Sequence, residues 1–259
     1  MGKSTDPTVM RAADVQAVLR LVGGSAELWY QPALQREFTL DSLCKLLNAK
    51  AAVCYTLGDV LTTGGTVPCG RATFVGFDKP AQATFESYLK TGTPKDPVID
   101  VLAAIDGRVI TLARADAVAD EAWYGSEHFK QIRQPLGLDH ALYVKIVAAS
   151  LGRQTIVMLS RAKDDTTFTD RDSYLCELCL SEMAWPYTPD VDYTDPRLET
   201  LQPRLKKVMR HLLEGDSEKQ VALKLGLSPH SVHQYVKQLY AQLEVNSRGE
   251  LLAQWVGKF

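Results

Sequence analysis

Residues Ser217–Lys237 have the sequence Ser-Glu-Lys-Gln-Val-Ala-Leu-Lys-Leu-Gly-Leu-Ser-Pro-His-Ser-Val-His-Gln-Tyr-Val-Lys, which carries the clearest structural pattern of the C-terminal region. Ser217 and Ser228 each precede a segment with apolar residues at helical spacing, and a serine hydroxyl accepts hydrogen bonds from first-turn N–H groups. Gly226 marks the turn between them, because glycine adopts backbone shapes that other residues resist. The stretch therefore predicts two helices joined by a tight turn.

Two short helices joined by a glycine turn have the geometry of a helix-turn-helix. Ala222 lies four residues before Gly226 and is small enough to let the helices cross closely. The second helix carries no acidic residue until Glu244, which favours a helix that enters the major groove of DNA. Its exposed face is predicted to consist of His230, Ser231, His233, Gln234, Lys237 and Gln238.

The charge of the chain also changes along the sequence. The 259 residues carry a formal net charge of −2. Residues 1–194 hold 19 basic and 24 acidic side chains, a net charge of −5, whereas residues 195–259 hold 10 and 7, a net charge of +3. An acidic front followed by a short basic tail indicates two modules with different partners.

A linker is predicted between these modules. Residues 186–197 contain three prolines and three aspartates, and dense proline with charge is typical of a linker. We therefore expect a front domain over residues 1–185, a linker over 186–197 and a tail domain over 198–259.

Several quoted segments of the tail domain share their residues and spacing with one known family. They are Leu201–Arg204, Leu212–Gly215, Ser217–Ala222, Leu225–Ser228, Ser231–His233 and Leu243–Arg248. With them, the tail domain resembles the DNA-binding domain of LuxR/FixJ/GerE-type bacterial transcription regulators. The resemblance implies an all-α, four-helix module that binds double-stranded DNA. It also implies a fourth helix, Arg248–Val256, that pairs two chains into a homodimer.

The resemblance assigns roles to individual residues of the tail domain. Base contacts are implied for His233, Gln234 and Lys237. Contacts to the DNA backbone are implied for Ser217, Lys219, Ser231 and Tyr235. In the fourth helix, Leu251, Leu252 and Trp255 are predicted to form the dimer interface, because an exposed apolar patch usually marks one.

The chain departs from the family pattern at four positions. Leu205 and Lys207 stand where the family usually carries two glutamates. Glu218 stands in place of asparagine, and Tyr235 in place of histidine. These departures affect local contacts of the module, not its predicted fold.

Short apolar runs in the front domain predict a β-sheet. The predicted strands are Ala51–Leu57, Arg71–Phe77, Arg108–Leu112, Leu142–Ala148 and Gln154–Arg161. Consecutive strands joined by short turns pair antiparallel, so we expect an α+β domain with one sheet flanked by helices. Residues 120–134 are predicted as one of these helices.

The end of the front domain resembles a GAF domain. The resemblance rests on the last two predicted strands, the segment Asp164–Asp170 with its Phe168-Thr-Asp cap, and the closing helix Asp170–Met183. It implies a GAF-like antiparallel sheet, terminal helices that build a dimer, and a small-molecule pocket or the relic of one. The aromatic-and-aspartate pattern of quorum-sensing ligand domains is not recognisable.

If a pocket exists, aromatic and thiol side chains are candidates to line it. The candidate residues are Tyr55 and Cys54 for the floor and Trp123, Tyr124 and His128 for a wall or lid. The alternative interpretation is that Trp123 and Phe129 anchor the core and that His128 is solvated.

Two other function classes remain open at this stage, a cysteine-based redox sensor or reductase of GAF type and a protein-binding helical adaptor. Cys54 and Cys69 flank a predicted hairpin, whereas Cys176 and Cys179 lie on the apolar face of a predicted helix and favour core packing. No nucleophile–base pair, paired carboxylates or metal-ligand cluster stands out, so we expect no enzyme activity, no cofactor and no metal.

The sequence has no apolar run of about 18 residues and no apolar signal-peptide core at Met1–Pro7. We therefore expect a cytoplasmic regulator with no membrane partner. Its expected partners are double-stranded DNA, a second copy of the chain and an unknown small molecule.

Overall fold

A computed structural model describes residues 10–28, 31–57, 68–148, 153–183, 185–187, 197 and 200–255. Most of the chain up to Tyr187 forms one compact unit, here the N-terminal unit, and the residues after it form a second, the C-terminal unit. Among the helices of these ranges, none combines the length and the apolar character needed to cross a membrane.

The N-terminal unit is built on a five-stranded sheet. Its strands are β1 (Ala51–Leu57), β2 (Pro68–Val75), β3 (Val109–Ala113), β4 (Ala141–Ala148) and β5 (Arg153–Ser160). They lie in the order β2-β1-β5-β4-β3, and every neighbouring pair is antiparallel. The predicted α+β class with an antiparallel sheet is confirmed.

Helices surround this sheet. They are α1 (Ala12–Glu27), α2 (Pro32–Leu47), α3 (Lys79–Thr91), α4 (Pro97–Ala104), α5 (Arg114–Ala117), α6 (Asp120–Gly125) and α7 (Asp170–Ser181). A π-helical turn covers Phe129–Arg133 and a 3-10 turn covers Trp185–Tyr187. The single helix predicted over residues 120–134 is thus two elements. The break lies at Ser126, whose hydroxyl accepts a hydrogen bond from the Phe129 N–H at 3.1 Å.

Two hydrophobic cores lie on opposite faces of the sheet. Side chains of α1, α2 and α7 pack on the face that includes Cys54, Val144 and Val157. Side chains of α3, α4, α6 and the π-helical turn pack on the face that includes Val53 and Tyr143. Alternation along each strand sends neighbouring residues to opposite cores.

The residues around the predicted linker are described only in part. Trp185 and Pro186 are buried in the N-terminal unit, so the chain is still packed where the linker was predicted to begin. Residues 188–196, the larger share of the predicted linker, lie outside the described residues.

The C-terminal unit consists of four helices around one core. They are α8 (Pro203–Leu213), α9 (Glu218–Leu225), α10 (Pro229–Leu243) and α11 (Arg248–Trp255). The all-α four-helix architecture predicted for the tail domain is confirmed. Val208, Val221, Val232 and Leu239 are fully buried at its centre.

Helix α11 differs from the prediction in the direction of its apolar side chains. Leu251 is 0% exposed and Trp255 is 2% exposed, because both belong to the core of the C-terminal unit itself. Arg197 also places its guanidinium 5.0 Å from the centre of the Trp255 ring. The premise that these two residues form a free apolar face is therefore wrong. Leu252 is half-buried beside the same core.

Candidate functional sites

Serine caps begin α9 and α10, as the sequence predicts, and Gly226 lies in the turn between the two helices. The Ser217 hydroxyl accepts from the Gln220 N–H at 3.4 Å, and the Gln220 side chain accepts from the Ser217 N–H at 2.8 Å. Gly226 has a φ of +64°, the left-handed conformation that favours glycine. The Ser228 hydroxyl accepts from the Ser231 N–H at 3.0 Å. These bonds cap the first turns of α9 and α10.

Helix α10 has one buried and one exposed face. Val232, Val236, Leu239 and Leu243 point into the core of the unit. The predicted base-contact residues all lie on the other side and are exposed; they are His233, Gln234 and Lys237. The structure thus brings the three side chains onto one face of one helix, with α9 packed behind it.

The predicted backbone-contact residues lie around this face. Ser217 and Lys219 are exposed at the start of α9, and Ser231 is half-buried in the first turn of α10. Tyr235 is half-buried, and its hydroxyl accepts a hydrogen bond from the Arg204 guanidinium at 3.1 Å. Arg204 brings an exposed cation to this group, and its position beside α10 was missing from the sequence interpretation.

Glu218 is a second residue that the sequence interpretation did not place at this surface. The sequence of α10 itself has no acidic residue before Glu244, whereas Glu218 reaches α10 from the first position of α9. Its Oε2 lies 3.1 Å from Nδ1 of His233. A carboxylate therefore touches one of the candidate base-contact residues.

A separate ionic cluster joins the end of α8 to the turn before α9. His211 Nδ1 lies 3.0 Å from Asp216 Oδ2 and 3.3 Å from Glu214. Such a trio offers potential metal ligands, but the Lys224 ammonium donates to both oxygens of Asp216 at 2.8 and 2.7 Å. Hydrogen bonds from Lys224 and His211 hold the pKa of Asp216 below its ordinary value. The arrangement is that of an ion-pair network that ties two helices together.

The N-terminal unit contains a buried polar cluster between the sheet and α3, α4 and α6. Asp96, which is 3% exposed, accepts from the Tyr143 hydroxyl at 2.6 Å and caps α4 through the Val98 N–H at 2.9 Å. His128 is 1% exposed and places Nε2 3.3 Å from the same carboxylate, outside hydrogen-bond geometry. Burial lowers the pKa of His128, although the Asp96 charge opposes that shift.

Arg133 is the unusual member of this cluster. Its guanidinium is fully buried, and it donates to the Met158 sulfur at 3.2 Å and to the Ser160 hydroxyl at 3.0 Å. Its Nε has no hydrogen-bond partner among the described residues. Among the described residues, no carboxylate forms an ion pair with Arg133, and a buried cation without one is costly unless another group compensates for it. Arg133 therefore indicates a site with an unmet hydrogen-bonding requirement.

Trp123 connects this cluster to a second one at the end of the sheet. The Trp123 indole N–H donates to Asp139 Oδ1 at 3.1 Å, and the Tyr124 hydroxyl donates to Oδ2 at 3.0 Å. The Arg114 guanidinium pairs with Asp120 and lies 5.5 Å from the Trp123 ring centre. These contacts place Trp123 and Tyr124 in fixed positions beside the buried cluster.

The candidate pocket residues therefore do not all lie on the same side of the sheet. Tyr55, Trp123 and His128 lie on the same side of the sheet. Cys54 lies in the opposite core and does not line that side, because successive strand residues face opposite ways. His128 is buried, so its interpretation as a solvated residue is wrong.

The sequence interpretation missed the residues that make the cluster polar. They are Tyr88, Asp96, Arg133 and Tyr143. For Tyr143, the alternation along β4 could have predicted that it shares a sheet face with Lys145. This alternation does not identify the helices that pack on that face.

The cysteines give little support to the redox alternative. Cys44, Cys54, Cys176 and Cys179 are all buried. Burial raises the pKa of Cys44 and of Cys179 to about 12 and the pKa of Cys176 well above its ordinary value. Reactive cysteines instead need an accessible thiolate. The side chain of Cys69 lies outside the described residues.

Comparison with known proteins identifies the C-terminal unit. Residues 199–254 match the family model described as bacterial regulatory proteins, luxR family. No curated protein sequence matches the chain. SdiA in complex with octanoyl-rac-glycerol is 14% identical over 93% of this chain and 93% of that chain, with a TM-score of 0.42.

Two further solved structures align with the chain at low identity. CepR2 from Burkholderia cenocepacia, an N-acylhomoserine lactone dependent LuxR family transcription factor, is 15% identical, covering 73% of this chain and 99% of that chain with a TM-score of 0.42. The GAF domain of a sensor histidine kinase from Pseudomonas syringae pv. tomato is 16% identical, covering 66% and 84% with a TM-score of 0.39.

Proposed function

We propose that this chain, whose residues 199–254 form a DNA-binding domain of the bacterial LuxR family, is a cytoplasmic, homodimeric transcriptional regulator. In this proposal α10 enters the major groove of double-stranded DNA. The observation that carries it is the exposed face of α10, on which His233, Gln234 and Lys237 lie together, while Val232, Val236 and Leu239 on the opposite face pack into the core.

The chemistry of this face suits base recognition. Lysine donates to guanine acceptors, glutamine makes paired hydrogen bonds with adenine, and a histidine ring can donate or accept. Ser217, Lys219, Ser231 and Tyr235 surround the face and are proposed to contact phosphates, which position a protein on the duplex. The net charge of +3 in residues 195–259 favours approach to DNA.

The N-terminal unit is proposed to bind a small molecule at its buried polar cluster. Arg133, Asp96 and Tyr143 provide a donor, an acceptor and a hydroxyl beside the aromatic side chains of Tyr55 and Trp123. Ligand sites are mostly apolar with a few convergent polar groups, and this cluster has that composition. The unmet Nε of Arg133 supports an acceptor on the ligand.

The N-terminal unit is also proposed to hold the homodimer through α1 and α7. Val15 and Leu19 lie one turn apart on α1 and are 41% and 66% exposed, and Tyr174 on α7 is 48% exposed. Helix α7 adjoins α1 through the ion pair between Arg171 and Asp14. In the C-terminal unit, Leu252 remains a candidate dimer residue, because Leu251 and Trp255 are committed to the core.

Selection of bound sequences from a random duplex pool, with the full-length protein, tests this function. We expect enrichment of an imperfect inverted repeat with half-site centres about 10 base pairs apart, since a two-fold dimer places two recognition helices about one turn apart. Enrichment of no sequence would contradict DNA recognition. Enrichment of a single asymmetric site would contradict the dimer.

A further inference from the structure

Helices α9 and α10 meet at the pair formed by Glu218 and His233. Glu218 is the first residue of α9, and His233 lies one turn into α10. Oε2 of Glu218 is 3.1 Å from Nδ1 of His233, and the two side chains are 39% and 50% exposed. Burial and the charge of Glu218 together raise the pKa of Tyr240 on α10, which places the Glu218 carboxylate against that helix.

A carboxylate at this position is unexpected for a surface that approaches DNA. Phosphates repel it, so an acidic residue beside the recognition face lowers general affinity. Part of this cost is offset because Glu218 lies in the first turn of α9, where the helix dipole favours a negative charge. Its contact with a candidate base-contact residue suggests a second role.

The hydrogen bond determines which nitrogen of His233 carries the proton. An ionised carboxylate can only accept a hydrogen bond, so Nδ1 must donate. A neutral imidazole has one N–H, and Nε2 is then left with a lone pair. The partner of one ring nitrogen thus sets the chemistry of the other.

We propose that Glu218 is a specificity-determining positioning residue that holds His233 in the Nδ1–H form, so that Nε2 accepts a hydrogen bond from an exocyclic amino group in the major groove. This inference rests on the proposed entry of α10 into the groove. Glu218 acts through His233 and does not itself touch a base.

The proposal restricts the bases that His233 can read. In the major groove only cytosine N4 and adenine N6 present hydrogen-bond donors, whereas guanine N7 and O6 and thymine O4 are acceptors. A histidine freed from Glu218 can expose an Nε2–H and donate to guanine. Glu218 therefore prevents His233 from donating a hydrogen bond to guanine and favours acceptance of one from cytosine N4 or adenine N6.

The test uses the full-length protein and its selected binding site. His233→Ala identifies the base pair that His233 reads, as the one position whose preference relaxes. At that base pair, an analogue that lacks the exocyclic amino group should weaken binding of the parent by about fivefold, the effect of one hydrogen bond. A 7-deazapurine at the same base pair should leave the contribution of His233 unchanged.

Two carboxylate variants complete the test. Glu218→Ala should lose the sensitivity to the missing amino group and keep the preference at every other base pair. Glu214→Ala removes a carboxylate of the same unit that pairs with Arg210, and it should behave like the parent.

Three results would overturn the proposal. One is a parent protein that is sensitive to the 7-deazapurine through His233, and another is a Glu218→Ala variant that keeps its sensitivity to the amino group. The third is an NMR spectrum at neutral pH in which the His233 ring carries its proton on Nε2. A parent that selects no sequence at all would instead refute the proposed function, and this inference with it.

Discussion

On the exposed face of α10, Lys237 is the longest side chain and carries a permanent positive charge. We expect Lys237→Ala to weaken binding to the selected site by about 1–3 kcal/mol, because a donor to a base edge is lost. Gel-shift titration measures the change. Lys163→Ala removes the same charge from an exposed position of the N-terminal unit and should bind like the parent. If Lys237→Ala binds the selected site as tightly as Lys163→Ala does, Lys237 makes no contact with the bases.

The buried His128 makes stability depend on pH. Its pKa is lowered from 6.5 by burial, so below pH 6.5 the unfolded chain binds a proton that the folded chain does not. The free energy of unfolding of the N-terminal unit should therefore fall as the pH drops through this range. Urea denaturation between about pH 5 and 8 should show this slope for the parent and a flatter one for His128→Gln.

The exposed His230 provides the control for this measurement. His230→Gln changes the same residue type on α10, where the side chain is solvated, and it should keep the slope of the parent. Parallel profiles for the parent and His128→Gln would show that His128 does not cause the pH dependence.

Only some members of the buried polar cluster in the N-terminal unit could be predicted from the sequence. Tyr55, Trp123 and His128 were predicted as pocket residues and do share one side of the sheet. Cys54 was wrongly grouped with Tyr55, although alternation along the strand separates adjacent residues. Asp96 and Arg133 could not be predicted, because their partners Tyr143 and Ser160 lie in segments far apart from them in sequence, and only the tertiary fold brings each pair together.

At the scale of elements, the α9–α10 turn depends on Gly226. Its φ is +64°, and a Cβ at this position would meet nothing within 4 Å, so Gly226→Ala suffers backbone strain without a clash. We expect a loss of about 1–2 kcal/mol in the stability of the C-terminal unit. Gly249→Ala on α11, where the nearest contact would be 3.7 Å, should not lower the stability, because alanine favours the helix more than glycine does. Thermal unfolding measures both, and equal effects would contradict the role of the turn.

Helix positions were predicted better than helix environments. The bounds of α9 and the start of α10 follow from serine caps, Pro229 and Gly226, which are local signals that act within a few residues. The burial of Trp255 was not predicted, because an apolar helix at the end of a bundle can pack inward or face a partner with the same spacing. Helix α1 also carries apolar residues at helical spacing, but there Val15 and Leu19 are exposed and do not pack into the core.

For the whole molecule, the proposed dimer makes a prediction about assembly. Leu19→Glu should shift sedimentation from dimer towards monomer, because it places a charge in the proposed apolar interface. Leu34→Glu is the matched control, since Leu34 is 47% exposed on α2 and lies outside the proposed interface. Equal behaviour of the two variants would contradict a dimer held by α1.

Binding of the whole molecule to DNA should also depend steeply on salt. The logarithm of the association constant is expected to fall linearly with the logarithm of salt concentration, with a slope of about −0.9 per phosphate contacted. Lys219→Ala should reduce the magnitude of the slope by about 1 for each protomer that binds the DNA, whereas Lys163→Ala should leave the slope unchanged. A flat response would favour the helical adaptor, which has no phosphate contacts to lose.

The central claim is that the exposed face of α10 distinguishes one DNA sequence from others. The most direct measurement compares the affinity of the full-length protein for its selected site and for a scrambled duplex at one salt concentration. The parent should prefer the selected site by about a thousandfold or more. A variant with His233, Gln234 and Lys237 all changed to alanine should bind both duplexes with similar, weak affinity. If that variant keeps the preference of the parent, α10 is not the recognition helix.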